Sequence, residues 1–317
     1  MIFMGYVKDF RWSQGISAKD LVDKLSSVGF QSVELGRATE IMIKMKETGA
    51  KIFFTFTSNM VTSGLRGFFA QLIGLKMADV IVTTVGGIEE DIMKAVGEKF
   101  EIGSFYEDDY ELYEKGTNRI GNLFVTNKSY EKFEEVINPM LKKLYEKKKA
   151  WTVSAMLKEI GLMLNDKESI LYQAAKNNVP IFCPAITDGA FGFHLYIFQQ
   201  DHPDFAVDVI KDFSNILFVT SQDEKKGIIA LGGGVSKHHA ILSCLLNGGL
   251  DYAVYMTTSR QFSGSMSGAT TKEAKSWGKI KDNSDAVTVI GDVTVTFPLA
   301  MIGALENLSK KGVIREG

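Results

Sequence analysis

The sequence predicts an α/β fold, a mostly parallel sheet wrapped by helices with a helical insertion, and three observations carry that expectation. Short β-rich runs recur along the 317 residues, each ending in a small-residue turn that leads into a helical pattern. Runs such as Val80-Ile81-Val82 and Ile228-Ile229-Ala230-Leu231 are continuously apolar, as strands buried on both faces must be. Between Tyr130 and Val179 the period changes to that of a helix.

The strand runs, in order, are Ile52–Thr57, Asp79–Thr84, Ile181–Ile186, Gly227–Leu231, Asp251–Thr258 and Ala286–Ile290. In the helical stretch, Phe133, Val136, Ile137, Met140, Leu141 and Leu144 recur at three and four residues, which predicts an insertion over about residues 130–179. Its basic run Lys147-Lys148-Lys149 reads as a solvated helix end or as a site for something acidic. With no internal repeat and no low-complexity linker, a single domain over residues 1–317 is expected.

Composition narrows the class further. A hydrophobic fraction of 45% supports a large core, and a net charge of −2 supplies no global basic field, so nucleic acid is not an expected partner. Cys183 and Cys244, both in apolar surroundings, read as free core thiols, and no metal site is expected. The segment Met1–Asp9 lacks the order of a signal peptide, and the apolar stretches fall short of about 20 residues, so a soluble, non-exported chain without membrane contact is expected.

In parallel sheets, ligands bind beyond the carboxyl ends of the strands. Four such ends carry small or polar clusters: Thr57-Ser58-Asn59 with Ser63-Gly64; Thr83-Thr84-Val85-Gly86-Gly87 with Glu89-Glu90-Asp91; Gly232-Gly233-Gly234; and Asp292. Each is compatible with a plain turn. Together they favour a bound nucleotide, because glycines admit a pyrophosphate near a helix N-terminus and an acid holds ribose hydroxyls. A second cluster joins Glu273, Trp277 and Lys279, with His238-His239 upstream. A neutral lysine against an indole is a nucleophile and Glu273 would hold an amine cation, but a surface lysine and a core tryptophan fit the same spacing.

At these residues the chain strongly resembles the deoxyhypusine synthases. The matching stretches are TSNMVTSG (57–64), VTTVGGIEED (82–91), NRIGNL (118–123), CPAITDG (183–189), LGGGVSKHH (231–239), NGGLDYAVY (247–255) and EAKSWGKI (273–280), in the family's order. The resemblance implies a doubly wound fold with a Rossmann-like NAD-binding site, a cytoplasmic homotetramer made as a dimer of dimers, and active sites at the dimer interface. It places NAD on Ser58, Asn59, Thr84, Gly86, Glu90, Asp188, Gly232, Gly233, Gly234, Thr258, Ser259, Ser267, Gly291 and Asp292. It places the covalent imine on Lys279, the amine-pocket indole on Trp277, an amine-binding carboxylate on Glu273 and proton handling on His238.

The activity so implied is NAD-dependent transfer of the aminobutyl group of spermidine, through an imine on Lys279, to a lysine of the initiation factor 5A precursor. A homospermidine synthase-like enzyme with another amine, and a catalytically silent NAD-binding scaffold, are the competing readings; retention of Lys279 speaks against the scaffold. The chain departs from the family's eukaryotic pattern at Phe193 and Met266, where amine-binding carboxylates are expected, and at Ser263, where an acid is expected.

Overall fold

A computed structural model describes residues 5–221 and 224–315; the first four residues of the segment Met1–Asp9 lie outside them. The chain folds as two compact units, one of residues 1–56, 77–79 and 217–317 and the other of residues 57–76 and 80–216.

The first unit opens with helices α1 (Ala18–Leu25) and α2 (Gln31–Glu47) and strand β1 (Lys51–Phe56). It resumes late in the chain with β9 (Lys226–Leu231), α12 (Gly234–Leu245), β10 (Leu250–Thr257), α13 (Thr271–Ser276), β11 (Ile280–Ile290) and α14 (Val293–Lys310). The strands lie in the order β11-β10-β9-β1 and every pairing is parallel. In register, Phe54 opposes Ile229, Gly227 opposes Tyr252, and Ala230 opposes Tyr255.

Alternation along those strands assigns the helices to both faces, which is the doubly wound arrangement. On one face Phe54 stacks on Phe297 of α14 at 5.8 Å, and Lys44 of α2 pairs with Asp285 at 2.5 Å. On the other, Tyr255 meets Lys237 of α12, whose Nζ lies 4.7 Å from the ring centroid. Every residue of β9 is buried, so its apolar run has no solvent face to supply with polar residues.

The second unit begins with a broken helix: α3 (Ser58–Met60), a π turn at Val61–Leu65 and α4 (Arg66–Gly74). Gly64 sits at the break with φ +103°, a conformation costly for any other residue. Then come β2 (Val80–Thr83), α5 (Val85–Ala95), β3 (Glu101–Ile102), α6 (Asp109–Glu114), β4 (Thr117–Ile120) and β5 (Leu123–Thr126). The helix-rich stretch follows as α7 (Asn127–Lys147), β6 (Ala150–Trp151), α8 (Val153–Met163) and α9 (Ile170–Asn177). After it stand β7 (Ile181–Phe182), α10 (Ala190–Asp201), β8 (Ala206–Val207) and α11 (Val209–Thr220), the last of which runs into the first unit.

β2 and β7 pair in parallel, whereas β3, β5 and β4 form a small antiparallel sheet that the apolar pattern did not suggest. The expected strand Ile181–Ile186 is cut to Ile181–Phe182, because Pro184 has no N–H to give a ladder. The predicted stripe of α7 is buried at Phe133, Ile137, Met140, Leu141 and Leu144. The basic run at its end is a solvated helix end: Lys147 pairs with Glu159, Lys148 lies over Trp151 and Lys149 over Tyr145. Cys183 and Cys244 are free and buried.

Candidate active site

In the first unit, α12, β10, α13 and the connection between β10 and α13 enclose a cavity of about 280 Å³. Lys237, His238 and Ile241 come from α12, Tyr255 from β10, and Gly264, Met266, Ala269 and Thr270 from the connection. Glu273, Ala274, Trp277 and Lys279 complete the wall. The structure thus brings together the four residues, His238, Glu273, Trp277 and Lys279, that the sequence selected for amine chemistry.

Local structure explains how Lys279 reaches the cavity. Thr270 caps α13 by accepting from the Glu273 N–H at 3.3 Å, and Trp277 closes the helix. Gly278, at φ +70°, turns the chain, and Lys279 then bridges α13 and β10: its N–H donates to Ala274 at 3.1 Å and its carbonyl accepts from Leu250 at 3.1 Å. The side chain is 6% exposed, with Nζ 5.2 Å from the Trp277 ring centroid. Trp277 is a lip of the cavity rather than part of the core, being 65% exposed.

The titratable groups in the wall are mostly basic. Burial, then Lys279 and Lys237, hold His238 below the usual histidine range, and burial presses His239 down to about 4. Lys237 is almost fully buried and donates to the Ala269 carbonyl at 3.0 Å. The Tyr255 hydroxyl is buried and has no hydrogen-bond partner among the described residues. Glu273 is the one carboxylate in the wall among the described residues, and Met266 lines the same cavity. Ser263 is exposed in the turn before Met266, and Phe193, on α10 of the second unit, is 60% exposed.

The strand-end turns assemble within each unit. In the first, Gly232 and Gly234 hold φ of +80° and +68° between β9 and α12, and the Gly232 N–H donates to Met256 at 2.8 Å. A Cβ on Gly233 would overlap the backbone of Ser267. Exposed Thr258 is followed by Ser259, whose N–H donates to Thr257 Oγ1 at 3.0 Å, and the Gly291 N–H donates to the Thr257 carbonyl at 3.0 Å. Asp292 caps α14, its Oδ1 accepting from the Thr294 N–H at 2.8 Å.

In the second unit, the Ser58 N–H donates to Thr84 Oγ1 at 3.0 Å, and a Cβ on Gly86 would meet the Ser58 side chain at 2.9 Å. Asn59 Oδ1 accepts from Thr57 Oγ1 at 2.5 Å. Glu90 accepts from Thr62 Oγ1 at 2.5 Å, and burial pushes its carboxyl up to about 7. Asp188 lies exposed in the turn after β7, its N–H donating to Ala185 at 3.2 Å.

Residues 20–304 match the model of the deoxyhypusine synthase family. The chain belongs to the deoxyhypusine synthase family. A Thermoplasma volcanium protein assigned as a deoxyhypusine synthase is 40% identical over 93% of this chain and 96% of its own length. The deoxyhypusine synthase of Senecio vernalis is 38% identical over 92% and 87% respectively. A crystal structure assigned to deoxyhypusine synthase from Entamoeba histolytica superposes with a TM-score of 0.67 at 28% identity, covering 95% of this chain and 97% of that one. The ternary complex of AgrE with ornithine and NAD+ shares the fold alone, with a TM-score of 0.55 at 13% identity over 88% of this chain and 34% of that one. As a deoxyhypusine synthase family member the chain is an enzyme of the transferase class.

Neither the motifs nor the spacing singled out Lys237 or Tyr255 of this deoxyhypusine synthase family member, although both line the cavity. A signal was present: Lys237, Ala240, Ile241 and Cys244 recur at helical spacing and form the buried side of α12, so the lysine belongs to an apolar stripe. Glu89 has a role of its own that its motif does not single out. Its Oε1 accepts from the Phe191 N–H at 2.8 Å and so fixes the start of α10 beyond the Asp188 turn.

Proposed function

We propose that this chain transfers the aminobutyl group of spermidine to a lysine of the initiation factor 5A precursor, with NAD as cofactor and Lys279 as the covalent carrier. The observation that carries the reading is Lys279 itself, an amine shielded from water in a cavity that also offers an indole and a carboxylate. A lysine acts as a nucleophile through its lone pair, and the cavity wall brings that nitrogen within reach of a bound amine.

In this reading Lys279 Nζ attacks the imine carbon of the oxidised spermidine, and as the new C–N bond forms the bond to the other nitrogen breaks, releasing 1,3-diaminopropane and leaving the aminobutyl fragment as an imine on Lys279. Trp277 covers the alkyl chain, Glu273 holds its terminal ammonium, and His238 moves protons. The acceptor lysine then displaces Lys279. NAD, when bound, supplies the hydride acceptor and donor that open and close the sequence.

The residues at the strand ends fit a dinucleotide. Among the described residues no side chain caps α12 at Gly233 or α5 at Thr84, so N–H groups of their first turns can meet phosphate oxygens. Gly232, Gly233 and Gly234, with Ser267 against them, would hold the diphosphate; Gly291 and Asp292 would hold a ribose; Thr258 and Ser259 lie at the adjoining strand end. Ser58, Asn59, Thr84, Gly86, Glu90 and Asp188 are further cofactor-binding positions in the same reading.

A cytoplasmic homotetramer, made as a dimer of dimers, completes the proposal; no helix among the described residues is long and apolar enough to cross a membrane. The test combines the protein with NAD, spermidine and either the factor 5A precursor or putrescine, and reads product masses. An aminobutyl increment on the precursor is expected. Homospermidine alone, or no product, would overturn the reading.

A further inference from the structure

Lys237 is the feature of the cavity that the reading above leaves unused. At 1% exposure it is more deeply buried than Lys279. Its Nζ donates to the Ala269 carbonyl at 3.0 Å and lies 4.7 Å from the Tyr255 ring centroid, and among the described residues no carboxylate pairs with it. An ammonium buried without a counter-ion is costly, so a lysine in this position exchanges its proton far more readily than one in water.

We propose that Lys237 is the base of this cavity, the group that removes a proton from the incoming amine so that the amine can react. The proposal rests on the reading of the cavity as a polyamine site. In the step, an N–H bond of the bound ammonium breaks, its electron pair stays on the substrate nitrogen, and the proton forms a new N–H bond on Lys237 Nζ. The carbonyl of Ala269 and the face of Tyr255 then hold the resulting ammonium. The reverse transfer returns the proton to the departing amine.

The surrounding groups favour Lys237 over the alternatives. The other titratable side chains in the wall are His238 on α12, Tyr255 on β10, Glu273 on α13 and Lys279 at the entry to β11. Burial, opposed by Glu273 and assisted by Lys279, brings Lys237 down to about 8. Burial and the same two lysines weaken His238 as a proton acceptor. Burial also raises the Tyr255 hydroxyl, which therefore stays protonated.

The experiment traps the Lys279 adduct with borohydride after incubation with NAD and labelled spermidine, from about pH 6 to about pH 10. The wild type, Lys237→Met and Lys237→Arg are compared. The wild-type rate should rise with pH and level off above about 8. Lys237→Met should lose that rise and fall about 100-fold. Lys237→Arg restores bulk and charge but cannot take up a proton, so it should be equally slow, whereas a structural or purely electrostatic role would be rescued by arginine.

A wild-type profile without the rise, a rise that persists in Lys237→Met, or a near wild-type rate in Lys237→Arg would overturn the assignment. The wild-type profile stands as a test even where a variant does not fold. Absence of any adduct in the wild type overturns the polyamine reading and this proposal together; a wild-type adduct with unimpaired variants overturns this proposal alone.

Discussion

The Nζ of Lys279 lies 5.2 Å from the centroid of the Trp277 ring, with the lysine 6% exposed and the tryptophan 65% exposed. The indole is therefore a lip over a buried amine. A substrate entering along the ring would reach the nitrogen with little water between them, which strengthens every polar interaction there.

Lys279→Arg keeps a cation near the indole and removes the nucleophile. We expect it to bind NAD as the wild type does, to form no borohydride-trapped adduct and to transfer nothing to the factor 5A precursor. Peptide mapping of the labelled wild type should place the label on Lys279; label elsewhere, or near wild-type transfer by the variant, contradicts the covalent role.

Met266 shares the cavity wall with Glu273, and a second carboxylate there would add negative charge to a cavity that also holds Lys237 and Lys279 and, in the proposed reading, a bound ammonium. Met266→Asp should lower the KM for spermidine by about tenfold, equivalent to about 1.4 kcal/mol. Steady-state kinetics decide the matter, and an unchanged or raised KM would show that the amine end lies away from Met266.

The missing side chain of Gly233 admits the backbone of Ser267. Gly233→Ala forces the two apart at about 1–3 kcal/mol. Calorimetric titration should show weaker NAD binding together with a lower melting temperature. Unchanged NAD affinity would remove the Gly232–Gly234 turn from the cofactor site.

Glu90 is buried, and its carboxyl is raised from 4.5 to about 7, chiefly by burial and in spite of the Thr62 hydroxyl and Lys94. The folded state thus favours the protonated form. Its contribution to stability is complete below about 4.5 and is lost as the pH rises through about 7. Relative to the wild type, Glu90→Gln should gain stability between about pH 5 and pH 8, by up to about 3 kcal/mol, with little difference in acid. Denaturant melts of the cofactor-free protein at the two pH values measure this.

Arg66 donates to Asp91 Oδ1 and to Asp166 Oδ2, each at 2.5 Å, while Asp91 also accepts from Ser169 Oγ and the Leu171 N–H, each at 2.8 Å. One buried carboxylate therefore ties α4, α5 and the start of α9. Arg66→Met should cost about 3–5 kcal/mol by leaving Asp91 unpaired. The double variant Arg66→Met/Asp91→Asn should cost less than the sum of the single changes, and strict additivity in urea melts would refute the coupling.

Much of the molecule was readable in the chain. Apolar runs such as Ile228–Leu231 can be satisfied only by burial on both faces, so the parallel sheet followed from local pattern. The glycines at 232–234 marked a turn in which Gly232 and Gly234 take positive φ and a side chain on Gly233 would meet Ser267. The stretches LGGGVSKHH and EAKSWGKI carried the family, and with it the cluster around Lys279. These are properties of neighbours in sequence, where the chemistry of each residue constrains the few around it.

Tertiary packing decided the rest. Pro184 shortened a strand that looked six residues long, and the antiparallel β3-β5-β4 sheet formed from segments with weak alternation. Trp277, of a type usually found in cores, became a lip, because the sequence does not say which side of α13 faces water. Lys237, of a type usually found at surfaces, became the most buried lysine among the described residues, because α12 packs that side against Tyr255 of β10. Whether a lysine is a solvated charge or a shielded amine depends on groups distant in sequence, and their approach is fixed only when sheet and helix close over it.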